Sequence, residues 1–242
     1  MSPHRPDTGT GRQHALIAAA ASFTAGTALI AVGGLTVSRS RGRAELPLAL
    51  VPLLFGVQQI TEGGLWIALD HRLPGLQSWT TYAFSLFSHV LWPIWVPFAI
   101  LLVETHRRRR ALLGAFQALG LTVGLYLLYF LIRYPVSAHV HQNSILYDSL
   151  HSYLAAIVVL YLSATCVSGL FSSHRCINVF GVLAFSLAIL AYEISLKTFV
   201  SVWCFSAAVL SLLIYLHFSG PMQACRPALA ASREPVLAAK TD

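Results

Sequence analysis

Glu62 is the one charged side chain in LPLALVPLLFGVQQITEGGLWIAL, residues 46–69, where Gln58 and Gln59 accompany it. A carboxylate carried into hydrocarbon costs ~3 kcal/mol or more, so an intramembrane acid points to chemistry or to a dedicated partner. Gln58, Glu62 and Trp66 are spaced four apart and share one helical face, with Gln59 at its edge. A second polar-aromatic stripe, Tyr82, Ser85, His89 and Trp92, recurs at spacings of three, four and three. Pro93 and Pro97 follow and are expected to kink that helix, freeing carbonyls around a cavity. Tyr147, Asp148 and His151 precede another apolar run, Tyr192, Glu193 and Lys197 end the next, and Trp203 sits in the last. A carboxylic acid shut away from water keeps its proton and can deliver it to an alkene or epoxide. In that chemistry Glu62 is the acid, and His89 or Glu193 takes up the terminal proton. The rings of Trp66, Trp92, Tyr192 and Trp203 stabilise a cation. Gln58, Gln59, Tyr82, Asp148 and His151 complete the candidate substrate-binding set.

Each residue also has a structural reading. Glu62 can be a structural carboxylate hydrogen-bonded to Gln58 or to a neighbouring helix, and Glu193 with Lys197 forms an ordinary i, i+4 pair near a helix end. His89 can serve as an interhelical donor, and some tryptophans belong to an interfacial belt. His139, His141, Asp148 and His151 raise a metal site, because imidazole and carboxylate suit zinc or iron. No HxxxH or HExxH motif sets two ligands on one helical face, so no metal or other cofactor is expected. No phosphate-binding glycine loop and no GxSxG motif occur, and the Gly63–Gly64 and Gly120/Gly124 pairs read as close helix packing.

The elements that carry these residues follow from composition. Of the 242 residues, 56% are apolar and 10% charged, and mean hydropathy is +0.68. Repeated apolar runs of about twenty residues match the length of a bilayer-crossing helix. The expected architecture is all-α, a polytopic membrane protein with spans near 15–37, 46–69, 78–103, 111–132, 150–171, 177–196 and 199–218. Residues 1–14 read as a polar tail and 219–242 as a disordered cytoplasmic tail. Arg39, Arg41 and Arg43 follow the first run as a stop-transfer cluster, favouring a span over a cleaved signal. The net charge of +7 centres on HRRRR, residues 106–110, at the end of an apolar segment. Basic residues there meet anionic headgroups, so the expected partner is the lipid bilayer and not nucleic acid. The four cysteines show no CxxC spacing and read as unpaired.

Orientation follows from Lys and Arg counts on alternate sides. The N-terminal tail and the loops after spans two, four and six carry five, while the opposite side carries eleven. Positive residues stay in the cytoplasm, so the N-terminus is expected outside and the C-terminus inside. Glu62, His89, Asp148 and Glu193 then all fall between the midplane and the outer surface.

The stretches ELPLALVPLLFGVQQITEGGLW, SHVLWPIWVPFAILLVE, SSHR and TFVSVWCFSAAVLSLLIYLHF resemble an uncharacterised family of bacterial multi-pass membrane proteins, from about Ala18 to Phe218. Members open with a stretch like CFSATASF, whereas this chain reads LIAAAASF, so Leu16 stands where their cysteine would. The resemblance implies the fold and no activity. The chain is also similar in architecture to small seven-helix membrane terpene cyclases, which carry a catalytic carboxylate on the second helix behind a Pro-Leu segment. Pro52-Leu53 and Glu62 match that arrangement. Those enzymes add an acid on the last helix, which the seventh run here lacks, leaving Glu193 on the sixth to serve.

The sequence reading is therefore a cell-membrane enzyme using buried Glu62 for acid–base chemistry on an apolar, lipid-like or prenylated substrate, of terpene cyclase or isomerase type. The alternatives are a proton-coupled carrier or sensor and a structural subunit. Oligomeric state is left open.

Overall fold

The computed structural model of the chain describes residues 8–141, 144–148, 155–194 and 199–219. It is mostly helical, and six of its helices are long and apolar enough to cross a membrane. In chain order the elements are α1 (Thr8–Ser38), α2 (Leu46–Asp70), α3 (Pro74–Val103), α4 (Arg107–Arg133), a hairpin of β1 (Ser137–His141) and β2 (Ser144–Asp148), α5 (Ala156–Leu170), α6 (Arg175–Ile194) and α7 (Phe199–Phe218). The described part of α5 is apolar but shorter than the other six, so the fifth expected span, 150–171, is matched among the described residues by a helix short of the full crossing length.

Two features depart from an all-helical expectation. The connection after α4 folds into the antiparallel hairpin, with Ser137 opposite Asp148 and His141 opposite Ser144. Its period of two turns Ala138, Ile145 and Tyr147 inward. Tyr147 stacks on Phe84 of α3 with ring centroids 4.6 Å apart. The Gln77 carboxamide donates to the Ala138 carbonyl at 3.1 Å, tying the hairpin to the start of α3.

The second departure lies inside two helices, where a π turn interrupts α3 at Leu86–Leu91 and α5 at Ser163–Val167. Proline explains the first. Pro93 lacks an N–H and its ring crowds the preceding turn, and a wider turn upstream relieves that crowding. Pro97 likewise leaves the Pro93 carbonyl without its helical donor. That carbonyl points at α4, where a Cβ on Gly120 would collide with it. Gly120 and Gly124 thus admit the close approach of α3, in keeping with the packing role expected of them.

The first two spans pack along their length through Gly26, Gly33 and Gly56. A Cβ at Gly33 would lie 2.5 Å from the Leu53 amide nitrogen. Gly63 rests on the Phe23 ring in the same interface. The turn after α2 is closed by the Leu73 amide on the Ala68 carbonyl at 2.9 Å, with Arg72 left-handed at φ 53°. Glycine is the usual residue at that helix end, and a side chain there costs about 1 kcal/mol.

Candidate functional site

The face of α2 that bears Glu62 is buried against α3 and α7, not turned to the outside of the bundle. Gln58 and Gln59 are fully buried and Glu62 is 2% exposed. Ser201 of α7 donates its hydroxyl to Glu62 Oε1 at 2.5 Å, and Gln59 Nε2 donates to Oε2 at 3.4 Å. The Trp92 indole donates to Gln58 Oε1 at 2.7 Å, and its ring stacks on Phe55 with centroids 3.8 Å apart. The two stripes read from the sequence, 58–62–66 and 85–89–92, therefore meet through Gln58 and Trp92. Gln59 Oε1 has no hydrogen-bond partner. Gln58 Nε2 meets no oxygen or nitrogen acceptor, and its carboxamide lies against the Cys204 thiol.

His89 sits on the π turn of α3. Its Nδ1 lies 2.8 Å from the Ser88 hydroxyl and 3.2 Å from the Ser85 carbonyl. The wide turn leaves the Ser88 carbonyl available, and Tyr161 of α5 donates its hydroxyl to it at 2.5 Å. A π turn of this kind commonly marks a functional position, because it turns side chains and carbonyls out of the helical ladder.

Two apolar cavities adjoin these groups. The outer cleft has an empty volume of about 450 Å³, its open mouth included. Ser88, His89, Tyr161 and Cys204 supply its polar atoms, while Leu127, Ile157, Val158, Phe199, Val200 and Trp203 supply the apolar wall. The inner cavity, about 330 Å³ on the same measure, is ringed by Phe55, Trp92, Phe180 and Trp203, with Val96, Ala184 and Ala207 between them and Thr165, Cys166 and Cys204 completing the wall. Trp203 and Cys204 belong to both. The Trp203 ring is held by its N–H on the Ala184 carbonyl at 3.1 Å, by Phe199 stacked at 5.8 Å and by Tyr161 edge-on at 5.7 Å. Glu62 lines neither cavity but lies within electrostatic reach of Cys204.

The remaining expected site residues are distributed elsewhere. Trp66 is buried in the core, one turn beyond Glu62. Tyr82 is 38% exposed, and its hydroxyl oxygen accepts the Val136 amide at 3.4 Å, so it supports the hairpin and does not join His89 in the cleft. Tyr192 and Glu193 are exposed and do not join the Glu62 cluster, which places Glu193 poorly as its acid partner. Asp148 holds a strand position opposite Ser137, while His151 and Lys197 lie outside the described residues. His139 is exposed, with Nε2 3.1 Å from the Ser137 hydroxyl. Among the described residues, no three histidine, cysteine, aspartate or glutamate side chains converge.

Sequence reasoning passed over Ser201 and Tyr161, each a lone hydroxyl in an apolar run, which only the helix rotation identifies as inward. It also passed over a polar cluster at the opposite end of the bundle. Glu104, 1% exposed at the end of α3, accepts the Thr105 and His106 amides at 3.0 and 2.9 Å. It also accepts the Ser173 amide at 2.7 Å and the Ser173 hydroxyl at 2.8 Å. Burial pushes this carboxyl upward, but the His106, Ser173 and Thr105 donors outweigh it and hold the group below the ordinary glutamate range. Beside it Asn178 Nδ2 donates to the Gly169, Leu170 and Ser172 carbonyls, and His174 packs edge-on against His217 with centroids 5.2 Å apart. The signal was the motif SSHR itself, whose Ser173 and His174 fold against Glu104 and the end of α3.

No curated protein and no solved structure matches the chain. A family profile does match, over residues 16–229, nearly the whole of the helical bundle. The chain accordingly belongs to DUF6629, a family of unknown function.

Proposed function

We propose that this protein is a seven-span protein of the cell membrane, N-terminus outside and C-terminus inside, that takes an apolar, lipid-like or prenylated molecule into the outer cleft and acts on it by proton transfer. The observation that carries the reading is one imidazole, His89, set on a π turn in the wall of an otherwise apolar cleft. A pocket for a small apolar ligand is a hydrophobic concavity with a few placed polar groups, and the cleft has that character. His89 is the group that touches the substrate and accepts or returns a proton, while the Trp203 and Phe199 rings supply faces to a developing cation. Glu62 is the acid behind the wall. Its proton reaches the cleft when a bound molecule displaces the Cys204 and Trp203 side chains, since Glu62 lines no part of the cleft at rest.

A second reading is favoured by the Ser201–Glu62 bond. A carboxyl that ties α2 to α7 across 2.5 Å stabilises the bundle whether or not it reacts. In that case Glu62 is a packing residue and the cleft binds without chemistry.

The experiment is a mass-spectrometric comparison of lipid extracts from membranes containing the wild type, His89→Ala or no protein. The enzyme reading expects an apolar species that changes with the wild type and reverts in His89→Ala. Identical profiles in all three would remove it.

A further inference from the structure

We infer that the inner cavity is the tail site of the outer cleft, so that a linear prenyl chain binds with its polar end at His89 and its far end beyond Trp203. The inference rests on the outer cleft being a binding site and adds which part of the molecule goes where. Four aromatic rings, two alanines and Val96 line the inner cavity together with Thr165, Cys166 and Cys204. The polar atoms near it are already engaged: the Trp92 indole donates to Gln58, the Trp203 indole to Ala184 and the Thr165 hydroxyl to the Tyr161 carbonyl. Such a wall accepts only hydrocarbon.

The sequence also leaves this space unfilled. Ala184 and Ala207 are the small side chains of this wall, where a leucine on either helix would project into the space. The partition between the two spaces is the Trp203 ring with Cys204. Trp203 is held by one hydrogen bond and two ring contacts, and its displacement together with Cys204 joins cleft and cavity into a single channel. A linear chain fits a channel that is polar at one end and dry at the other. A compact apolar molecule would use the cleft alone.

Depth then sets chain length. Each methylene denied burial costs roughly fourfold in affinity. A leucine at 184 or 207 adds three carbons, so excluding three carbons of ligand weakens a long chain by on the order of fiftyfold. Diazirine-tagged geraniol and geranylgeraniol, which differ by two isoprene units, provide the test on the full-length protein in lipid nanodiscs. The wild type should crosslink both in the cleft. Ala184→Leu and Ala207→Leu should each lose geranylgeraniol capture selectively, and Phe180→Ala, which enlarges the cavity, should strengthen it. Loss of both alcohols in step, or of neither, in folded variants would overturn the tail site while leaving the cleft in place. Failure of the wild type to capture either alcohol would overturn the cleft and the tail site together.

Discussion

Replacing Glu62 by glutamine separates the two readings of this carboxyl, because the structure makes the exchange nearly neutral for folding. The amide oxygen of Glu62→Gln can keep the Ser201 hydroxyl bond that Glu62 Oε1 now accepts at 2.5 Å. The new amide nitrogen would face Gln59 Nε2, which is a donor against a donor. Gln59 can resolve this by turning its carboxamide over, since its Oε1 is without a partner and would accept the new N–H. One unpaired amide atom is exchanged for another, and the stability change should stay within about 1 kcal/mol. Glu62→Ala differs. It strands the Ser201 hydroxyl and the Gln59 amide in the core and leaves a void, together costing about 2–5 kcal/mol. Thermal unfolding in a mild detergent measures both variants, and mass spectrometry of the lipid product measures turnover. If Glu62 delivers a proton, Glu62→Gln folds normally and loses about 10²–10⁴-fold in rate. Full turnover in Glu62→Gln would refute the acid role. Strong destabilisation by Glu62→Gln would refute the amide exchange argued here.

The Glu104 cluster gives a second prediction with a defined pH dependence. Its carboxyl lies below the ordinary glutamate value, so it contributes stability that is fully present above that value, about 4.3, and is lost as pH falls through its own lower one. Glu104→Ala should lower stability by about 2–3 kcal/mol at neutral pH, since the Thr105 and His106 amides can turn to water while Ser173 cannot do so fully. The acid-side slope should flatten in the same variant, and an unchanged slope would assign it to other groups. For orientation, Arg108→Cys should label with an impermeant maleimide from the cytoplasm only and His139→Cys from outside only. The reverse pattern would place the cleft on the other half of the membrane.

The positions of the helices were legible in the sequence, their rotations only unevenly. Long apolar runs bounded by arginines and prolines leave little freedom, and the observed ends at Ser38, Asp70, Val103 and Arg133 fall close to those expected. The inward face of α2 was legible because three polar groups share it and each is costly in lipid. Tyr161 and Ser201 were not, because one hydroxyl satisfied by its own helix or by a neighbour gives no direction. The hairpin was missed although SAHVH and SILYD alternate, because histidines and serines mask the pattern and only Ala138, Ile145 and Tyr147 point inward. Glu193 carries a charge in an apolar run, yet its position near a helix end leaves it exposed. Charge indicates a partner only where the chain has no route to water.

The two buried glutamates of the bundle show what that principle can decide. Glu104 has four short donors, two from the chain just after it and two from Ser173, which is how a carboxylate kept for structure is expected to be held. Glu62 has one short bond and one at 3.4 Å, and beside it Gln59 Oε1 goes without a partner. A native core seldom tolerates an unsatisfied amide without a reason. Were the Glu62 cluster only a tie between α2 and α7, an apolar pair would fill the same space at little loss, since replacing buried polar groups by hydrocarbon is often neutral or stabilising. The unpaired amide atoms at 58 and 59 lie beside Glu62, which is within electrostatic reach of the Cys204 wall that the cleft and the inner cavity share. The proposed function accordingly puts its chemistry at the Glu62 end of the bundle and leaves structural anchoring to the Glu104 end.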